Sequence, residues 1–314
     1  MPTVLTEQLA VNKEAKDCGG GDLRKVTFTR QFLLSIATNL SDCVNDNSKD
    51  ADDYVFMIAG GFRPVDDSLT KSVVSIRTRQ PTKFFGDNHF CNGAVVSWNI
   101  ILSAAHCVVD QYGVVTRPHR LSVTAGCSGR LRKTITCMEY RVLKIVPHNH
   151  FHRHHGNDIA LLILETSFPA SNKRISISSM ATQPPAIGTV CQAVGWGQIY
   201  WDGPFTDEAI YANLTVTNNN ECINNYDYNF ADDLLCVRGT TFEIGLCRGD
   251  SGAPLFCDNK LHGILSEEGK MHPITFQTMK VECRGNKIES GSSVSFYGDC
   301  VSPRPFQPVV VRNT

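Results

Sequence analysis

The stretch Cys247-Arg248-Gly249-Asp250-Ser251-Gly252-Ala253-Pro254 decides how the rest of the chain is interpreted. A serine hydroxyl is a weak nucleophile at neutral pH, so a catalytic serine needs a base, a group that orients the base, and donors for an oxyanion. The glycines around Ser251 permit a tight turn with amides directed at developing negative charge. The stretch predicts that Ser251 is a nucleophile, and the alternative is an incidental serine in a glycine-rich turn.

Two further stretches supply the partners that Ser251 requires. Ser103-Ala104-Ala105-His106-Cys107 offers His106 as general base, and Asn157-Asp158-Ile159-Ala160-Leu161-Leu162 offers Asp158 to orient it. The order His, Asp, Ser is one of the known orders for this chemistry. Each residue also has a simpler interpretation, as a structural histidine at a strand end and as an aspartate that caps a turn.

With Gly195-Trp196-Gly197 and the neighbouring cysteines, these stretches resemble the chymotrypsin/trypsin family of serine proteases over roughly residues 58–269. The resemblance implies an all-β fold of two antiparallel six-stranded barrels with the triad between them. It implies peptide-bond hydrolysis through an acyl-enzyme, without cofactor or metal. Short β-rich runs between turn residues independently favour antiparallel sandwiches or barrels; they are Val73–Ile76, Ala94–Leu102, Val142–Val146, Ile159–Leu164, Thr189–Val194 and Leu261–Leu265.

The domain organisation follows from composition and from the resemblance. Residues 1–57 contain a glycine cluster and an acidic stretch, which is typical of a propeptide or linker. Residues 58–314 are expected to form the protease domain, with a first barrel over 58–183 and a second over 184–314. The end of the chain departs from the family: Ser293–Tyr297 is a candidate for the last barrel strand, and the prolines between 303 and 308 exclude a regular terminal helix.

The cysteine content indicates the cellular compartment of the protein, and the net charge limits the kinds of partner it can bind. Thirteen cysteines are typical of a secreted, disulfide-bonded protein, although residues 1–16 do not read as a signal peptide. The formal net charge of −1 gives no global field for nucleic acid or an anionic membrane, and no apolar run is long enough to span a bilayer. We therefore expect a secreted protein that binds neither nucleic acid nor membranes.

The resemblance implies three core disulfides, Cys91–Cys107, Cys191–Cys257 and Cys222–Cys236. Cys127 and Cys137 could close a local loop. Five cysteines remain: Cys18, Cys43, Cys247, Cys283 and Cys300. Because five is an odd number, at least one of them is a free thiol, joins another chain or belongs to a removed segment.

Further site residues also come from the resemblance. The amides of Gly249 and Ser251 would form the oxyanion hole, and Ser266 would support Asp158. Asp250 would pair with the new amino terminus that zymogen cleavage creates at Ile58. Met57 precedes that bond where Arg or Lys is common. Either the activating protease prefers large apolar residues, or the chain is not activated in this way.

The specificity pocket is where the chain departs most from the family. Its base would be Gly245, which carries no acid, so a preference for uncharged residues before the scissile bond follows as a hypothesis. Ser266 and Glu268 would border the pocket, and Glu267-Glu268 stand where the family has Trp-Gly. Glu268 would either narrow the pocket or attract a basic residue from the side.

Five histidines between 148 and 155 raise the question of a metal, since imidazole suits zinc or copper; they are His148, His150, His152, His154 and His155. The stretch has no paired cysteine motif and no helix signature of a dedicated site. A variable surface loop beside the substrate cleft is the preferred interpretation, with no metal.

The expected function is that of a serine endopeptidase. Its partners would be protein or peptide substrates, an activating protease and serpin-type inhibitors. The alternative is a secreted, non-catalytic protease homologue that acts as a binding or regulatory protein. An esterase of the hydrolase fold is excluded, because the order of the residues differs and no Gly-x-Ser-x-Gly elbow surrounds Ser251.

Overall fold

The computed structural model describes residues 61–153, 156–200, 203–223, 234–241, 244–267 and 274–278, and the backbone of three short strands beyond them. Within this part the chain is all-β, as the sequence predicts, and two barrels contain most of the strands. The proposed pro-segment over residues 1–57 and the new terminus at Ile58 lie outside the described residues.

Six antiparallel strands close the first barrel in the order β1-β2-β3-β6-β5-β4. They are β1 Val73–Thr78, β2 His89–Ser97, β3 Ile100–Ser103, β4 Leu121–Ala125, β5 Met138–Pro147 and β6 Ala160–Leu164. Side chains alternate along β5, where Tyr140 and Val142 are buried and Glu139 and Arg141 face solvent. The run Ala94–Leu102, which reads as one β segment, is two strands joined by a turn.

Six antiparallel strands close the second barrel in the order β7-β8-β9-β12-β11-β10. They are β7 Val190–Gly195, β8 Ile210–Val216, β9 Leu234–Gly239, β10 Pro254–Cys257, β11 Lys260–Glu267 and β12 Ile274–Thr278. The helix α1, Asn219–Ile223, precedes β9. No helix among the described residues has the length and apolar character needed to cross a membrane.

The assignment of Ser293–Tyr297 to the last barrel strand is wrong. Residues 274–278 occupy that place, because β12 pairs with both β11 and β9 and closes the barrel. Ser295–Tyr297 instead forms β15 of a separate antiparallel sheet, with β13 Val281–Arg284 and β14 Lys287–Ser290. The second barrel is therefore complete without the end of the chain.

Three apolar clusters form the core. One fills the first barrel and one fills the second. The third combines residues of both, among them Leu102 and Leu161 from the first barrel and Trp196 and Phe256 from the second. Burial of this shared apolar surface fixes the barrels against each other, and the loops that carry the candidate site lie at this junction.

The chain contacts the second barrel both before the first strand of the first barrel and after its last strand. Phe62 exchanges backbone hydrogen bonds with Tyr211 of β8, at 2.9 and 3.0 Å. The amide of Ala181 donates to the carbonyl of Leu261 in β11 at 2.9 Å. The chain thus already contacts the second barrel before residue 184, where the sequence predicts that the second barrel begins.

Candidate functional site

His106 and Asp158 are joined by two hydrogen bonds at the barrel junction. His106 lies in a single 3-10 turn, Ala105–Cys107, directly after β3. Its Nδ1 is 2.6 Å from Oδ2 of Asp158, and its backbone amide donates to Oδ1 at 2.8 Å. A histidine held at both backbone and ring presents a fixed tautomer and orientation, since Nδ1 is the nitrogen that donates to the carboxylate.

Asp158 is held by groups from the second barrel as well. It precedes β6, and the residue is only 4% exposed. The hydroxyl of Ser266 in β11 donates to Oδ2 at 2.8 Å, and the Asp158 amide donates to Oε1 of Gln277 in β12 at 2.9 Å. A buried carboxylate is costly unless it accepts hydrogen bonds, so the bonds from His106 and Ser266 offset the cost of placing this carboxylate just before the apolar strand β6.

The Ser251 turn is anchored to both barrels. The amide of Asn92 in β2 donates to the carbonyl of Ser251 at 2.8 Å, and the amide of Gly252 donates to that of Leu265 in β11 at 3.0 Å. Gly252 has φ +77°, and a Cβ there would overlap the carbonyl oxygen of Asn92. Glycine is therefore required at this position, and the turn brings Ser251 to the same junction as His106 and Asp158.

Asp250 is fully buried, and its carboxylate lies between the start of its own turn and the loop that follows β7. Its Oδ1 accepts from the Gly197 amide at 2.8 Å, and its Oδ2 accepts from the Cys247 amide at 3.0 Å. A Cβ on Gly195 or on Gly197 would overlap the Asp250 carboxylate. Asp250 thus explains the motif Gly195-Trp196-Gly197, because the glycines on either side of the buried Trp196 leave room for the Asp250 carboxylate.

Two side chains of β2 hold the carbonyl of Gly249. Asn92 Nδ2 donates to it at 2.8 Å, and His89 Nε2 lies 3.0 Å from it. The His89 Nδ1 is 2.8 Å from Ser75 Oγ, which in turn accepts from the Arg77 guanidinium at 2.9 Å.

Burial lowers the pKa of His89 to about 3, against a weaker opposing effect of the hydrogen bond to Gly249. The neutral imidazole has one N–H, so Nε2–H donates to Gly249 and Nδ1 accepts from Ser75. The hydrogen bonds therefore run in one direction, from the Arg77 guanidinium to the Gly249 carbonyl.

Comparisons with known proteins identify the family. The family model described as Trypsin matches residues 58–279. The chain belongs to the trypsin family of serine proteases. Human serine protease 1 is 29% identical over 179 residues, which cover 57% of this chain and 69% of that protein. Mouse kallikrein 1-related peptidase b27 is 30% identical over 222 residues, covering 67% of this chain and 78% of that protein.

Solved structures establish the trypsin-family fold independently. Mouse neuropsin, a serine protease of the limbic system, superposes with a TM-score of 0.60 at 22% identity, covering 70% of this chain and 94% of that one. Human heparin binding protein gives a TM-score of 0.59 at 23% identity, covering 70% of this chain and 91% of that one. Family members act on protein or peptide substrates and are mostly secreted.

Within the described part of this trypsin-family domain there are four disulfides. Three join Cys91 to Cys107, Cys191 to Cys257 and Cys222 to Cys236, and the fourth closes the local loop from Cys127 to Cys137. The first holds the His106 turn against β2. Cys18, Cys43 and Cys300 lie outside the described residues, as does the side chain of Cys283, and Cys247 is buried.

Gly245, the predicted base of the specificity pocket, lies between two buried apolar residues. A Cβ on Gly245 would have no atom within 4 Å, so open space adjoins it. Its neighbours Ile244 and Leu246 are buried and belong to the same core cluster as Ile274 of β12. Ser266 is placed by its bond to Asp158, whereas Glu268 lies outside the described residues.

The histidine segment forms an irregular loop before Asp158. His148 is buried, and its Nδ1 accepts from the His150 amide at 3.2 Å, with the two rings 5.8 Å apart. His152 is exposed, and His154 and His155 lie outside the described residues. Among the described residues, the one set with converging donor atoms is Cys91, His106 and Cys107, whose sulfurs form a disulfide.

Several residues of this site give no signal in the sequence. His89, Asn92 and Gln277 are buried polar side chains in strands that otherwise read as apolar. Each contacts the site across a gap of more than a hundred residues, as the bonds to Gly249 and Asp158 show. A local pattern cannot reveal such a contact, because the packing of one barrel against the other creates it.

Proposed function

We propose that this trypsin-family protein is a serine endopeptidase that uses Ser251, His106 and Asp158. The observation that carries the proposal is the linked set of bonds His106–Asp158–Ser266 beside a turn anchored to both barrels. This is the arrangement that general-base activation of a serine requires.

The reaction proceeds by acyl transfer. Ser251 Oγ attacks the scissile carbonyl carbon and its proton passes to Nε2 of His106. That proton then goes to the leaving amine as the C–N bond breaks, which leaves an ester on Ser251. Water repeats the sequence against the ester, and His106 again moves the proton. Asp158 stabilises the imidazolium and keeps its orientation throughout.

The amides of Gly249 and Ser251 would donate to the oxyanion of each tetrahedral intermediate. Gly249 has φ +92°, a conformation that glycine adopts without strain, and its carbonyl is fixed from the other side by His89 and Asn92. Preorganised donors of this type contribute about 10²–10³ in rate each.

Activation would create an amino terminus at Ile58 that pairs with Asp250. Asp250 is fully buried next to Gly197, and a buried carboxylate gains most from a paired cation. The bond Met57–Ile58 implies an activating protease that prefers large apolar residues. Protein or peptide substrates and serpin-type inhibitors would be the other partners, and four disulfides favour a secreted location.

The substrate preference would be for uncharged residues before the scissile bond. No acid stands at Gly245, and its buried neighbours are the apolar Ile244 and Leu246. Ser266 and Glu268 would form the pocket border. A chromogenic peptide panel tests this preference, and cleavage confined to Arg or Lys substrates would contradict it.

The experiment that tests the function is covalent labelling with a fluorophosphonate before and after cleavage at Met57–Ile58. Labelling that appears after cleavage and is lost in Ser251→Ala would support a working triad and a zymogen. A folded, cleaved protein that does not label would exclude the endopeptidase.

A second candidate function rests on charge. Residues 61–183 contain fifteen Lys and Arg against seven Asp and Glu, whereas residues 184–267 contain three against eleven. Around β4, Arg79, Arg117, Arg120 and Arg141 are exposed or half-buried, and none of them forms an ion pair with another described residue. The amide of Arg79 donates to the carbonyl of Arg120 at 2.7 Å, so two of these residues are adjacent.

This basic surface would suit a non-catalytic binding protein for sulfated polysaccharides, since arginine pairs well with planar and tetrahedral oxyanions. The test is retention on immobilised heparin at physiological salt. Arg120→Gln/Arg141→Gln should elute earlier, and a control variant Arg174→Gln should not. Heparin binding without fluorophosphonate labelling would favour this function over the endopeptidase.

A further inference from the structure

Arg130 is a buried cation that joins its own loop to two other backbone segments. It lies in the loop closed by the Cys127–Cys137 disulfide and is only 7% exposed. Its Nε donates to the Thr206 carbonyl at 2.7 Å, one terminal nitrogen donates to Gly86 at 2.7 Å, and the other donates to Phe205 at 3.3 Å. The guanidinium carbon also lies 5.6 Å from the centroid of the Phe205 ring.

Burial of this guanidinium costs free energy, and its hydrogen-bond partners are backbone carbonyls. No carboxylate of the described residues forms an ion pair with Arg130. Burial lowers its pKa, against opposing effects of Asp207 and Asp87 at longer range. A buried cation is retained where a rigid fork of donors meets several acceptors at once, so this geometry selects for arginine.

Phe205, which Arg130 holds by its carbonyl and its ring, packs on Gly249. A Cβ on Gly249 would overlap Cε1 of Phe205. The same ring packs edge-on against His89, with centroids 6.0 Å apart. Gly249 is therefore confined from two sides, by the Phe205 ring on its α-carbon and by the donors His89 and Asn92 on its carbonyl.

We propose that Arg130 is a positioning residue for the oxyanion hole and that it acts through Phe205 on Gly249. Glycine resists rotation of its backbone less than any other residue, so the direction of the Gly249 amide depends on outside contacts. Phe205 supplies one of these contacts, and Arg130 keeps Phe205 in place. The inference rests on the proposed function for its catalytic consequence, whereas the constraint on Gly249 is independent of it.

The test compares Arg130→Gln, Arg130→Lys and Phe205→Leu with a matched control, Arg132→Gln. Arg132 lies two residues away in the same loop, with a side chain 70% exposed. Two quantities are measured on the full chain after cleavage at Met57–Ile58: kcat per fluorophosphonate-titrated site, and hydrogen exchange of the peptide that contains Gly249. Titration counts only competent sites, so a variant that merely folds less well changes the number of sites and not kcat.

We expect kcat to fall about tenfold in the three variants, less than the 10²–10³ for complete loss of an oxyanion donor. KM should change little, because the oxyanion forms after substrate binds. Arg130→Lys should not restore activity, since one ammonium cannot reach three carbonyls. Exchange of the Gly249 peptide should accelerate in these variants and not in Arg132→Gln.

Different results would refute the positioning role of Arg130 and the proposed endopeptidase function. Unchanged Gly249 exchange in Arg130→Gln and Phe205→Leu would overturn the positioning role, whether or not the protein is active. Faster exchange with unchanged kcat would also overturn it. A wild-type protein that does not label would refute the proposed function alone, and the exchange measurement would still decide the role of Arg130.

Discussion

Ser266 and Asp158 lie in different barrels, and the Ser266 hydroxyl donates to Oδ2 of Asp158 at 2.8 Å. The same oxygen is 2.6 Å from Nδ1 of His106. The carboxylate is thus oriented from the second barrel while it orients a histidine of the first. Any change in how the barrels meet would therefore reach the histidine directly.

Replacing Ser266 by alanine should lower kcat/KM about tenfold, because a hydrogen bond to a charged group contributes about 1.5–3 kcal/mol. Asp158→Asn should cost far more, about 10⁴ in kcat, since it changes the tautomer that His106 presents. Steady-state kinetics on titrated sites measures both. The exposed Ser179→Ala in the segment before the second barrel is the control. Full activity in Ser266→Ala would contradict the role of this bond.

Gly249 and Gly113 form a matched pair for testing the turn before Ser251. Both have positive φ, +92° and +78°, but a Cβ on Gly113 would have no atom within 4 Å, whereas one on Gly249 would overlap Phe205. Alanine at either position should cost about 1–3 kcal/mol of unfolding free energy from backbone strain. Gly249→Ala alone should also lower kcat, by about 10²–10³. Equal kcat in the two variants would argue against Gly249 as an oxyanion donor.

Acid should destabilise the protein through His89. Its pKa is about 3 in the folded state, below the ordinary value of 6.5, so between these values the unfolded chain binds a proton that the folded chain does not. The stability from neutral His89 is therefore complete above pH 6.5 and is lost as the pH falls towards 3, by up to about 1.4 kcal/mol per pH unit.

Urea unfolding at a series of pH values measures this effect. The difference in unfolding free energy between wild type and His89→Gln should shrink as the pH falls, since glutamine does not titrate. Gln111→Ala, an exposed substitution that removes no titratable group, should run parallel to wild type. Parallel curves for wild type and His89→Gln would refute the burial of neutral His89.

Replacing Gln277 should lower both stability and activity, although the residue lies in an otherwise apolar strand. In Gln277→Met the buried amide of Asp158 loses its acceptor, which costs about 1–3 kcal/mol and lets the carboxylate shift. We expect a Tm lower by several degrees and a reduced kcat. Gln192→Met in β7 is the control, because this half-buried side-chain amide donates to Oδ1 of Asn213 at 3.1 Å and makes no described contact with Asp158. Similar effects of the two variants would show that Gln277 has no special role.

The sequence alone predicted the two-barrel fold, because the stretches around His106, Asp158 and Ser251 are local and are read without knowledge of the remaining chain. It also pointed to a departure near the specificity pocket, where Glu267 follows Ser266. It misassigned the last barrel strand to Ser293–Tyr297, because a short β-rich run near the end of the chain gives the same local pattern as a closing strand.

Only the tertiary structure decided which buried polar groups hold the site. In the sequence Arg130 belongs to a short basic run with Arg132 and Lys133, which is typical of a solvated loop. In the structure it is buried and bonded to three carbonyls. His89 and Gln277 likewise gain their partners Gly249 and Asp158 when the two barrels pack together. Local patterns record how a residue suits its own strand or turn, whereas the free energy of a buried polar group depends on acceptors that distant segments bring to it.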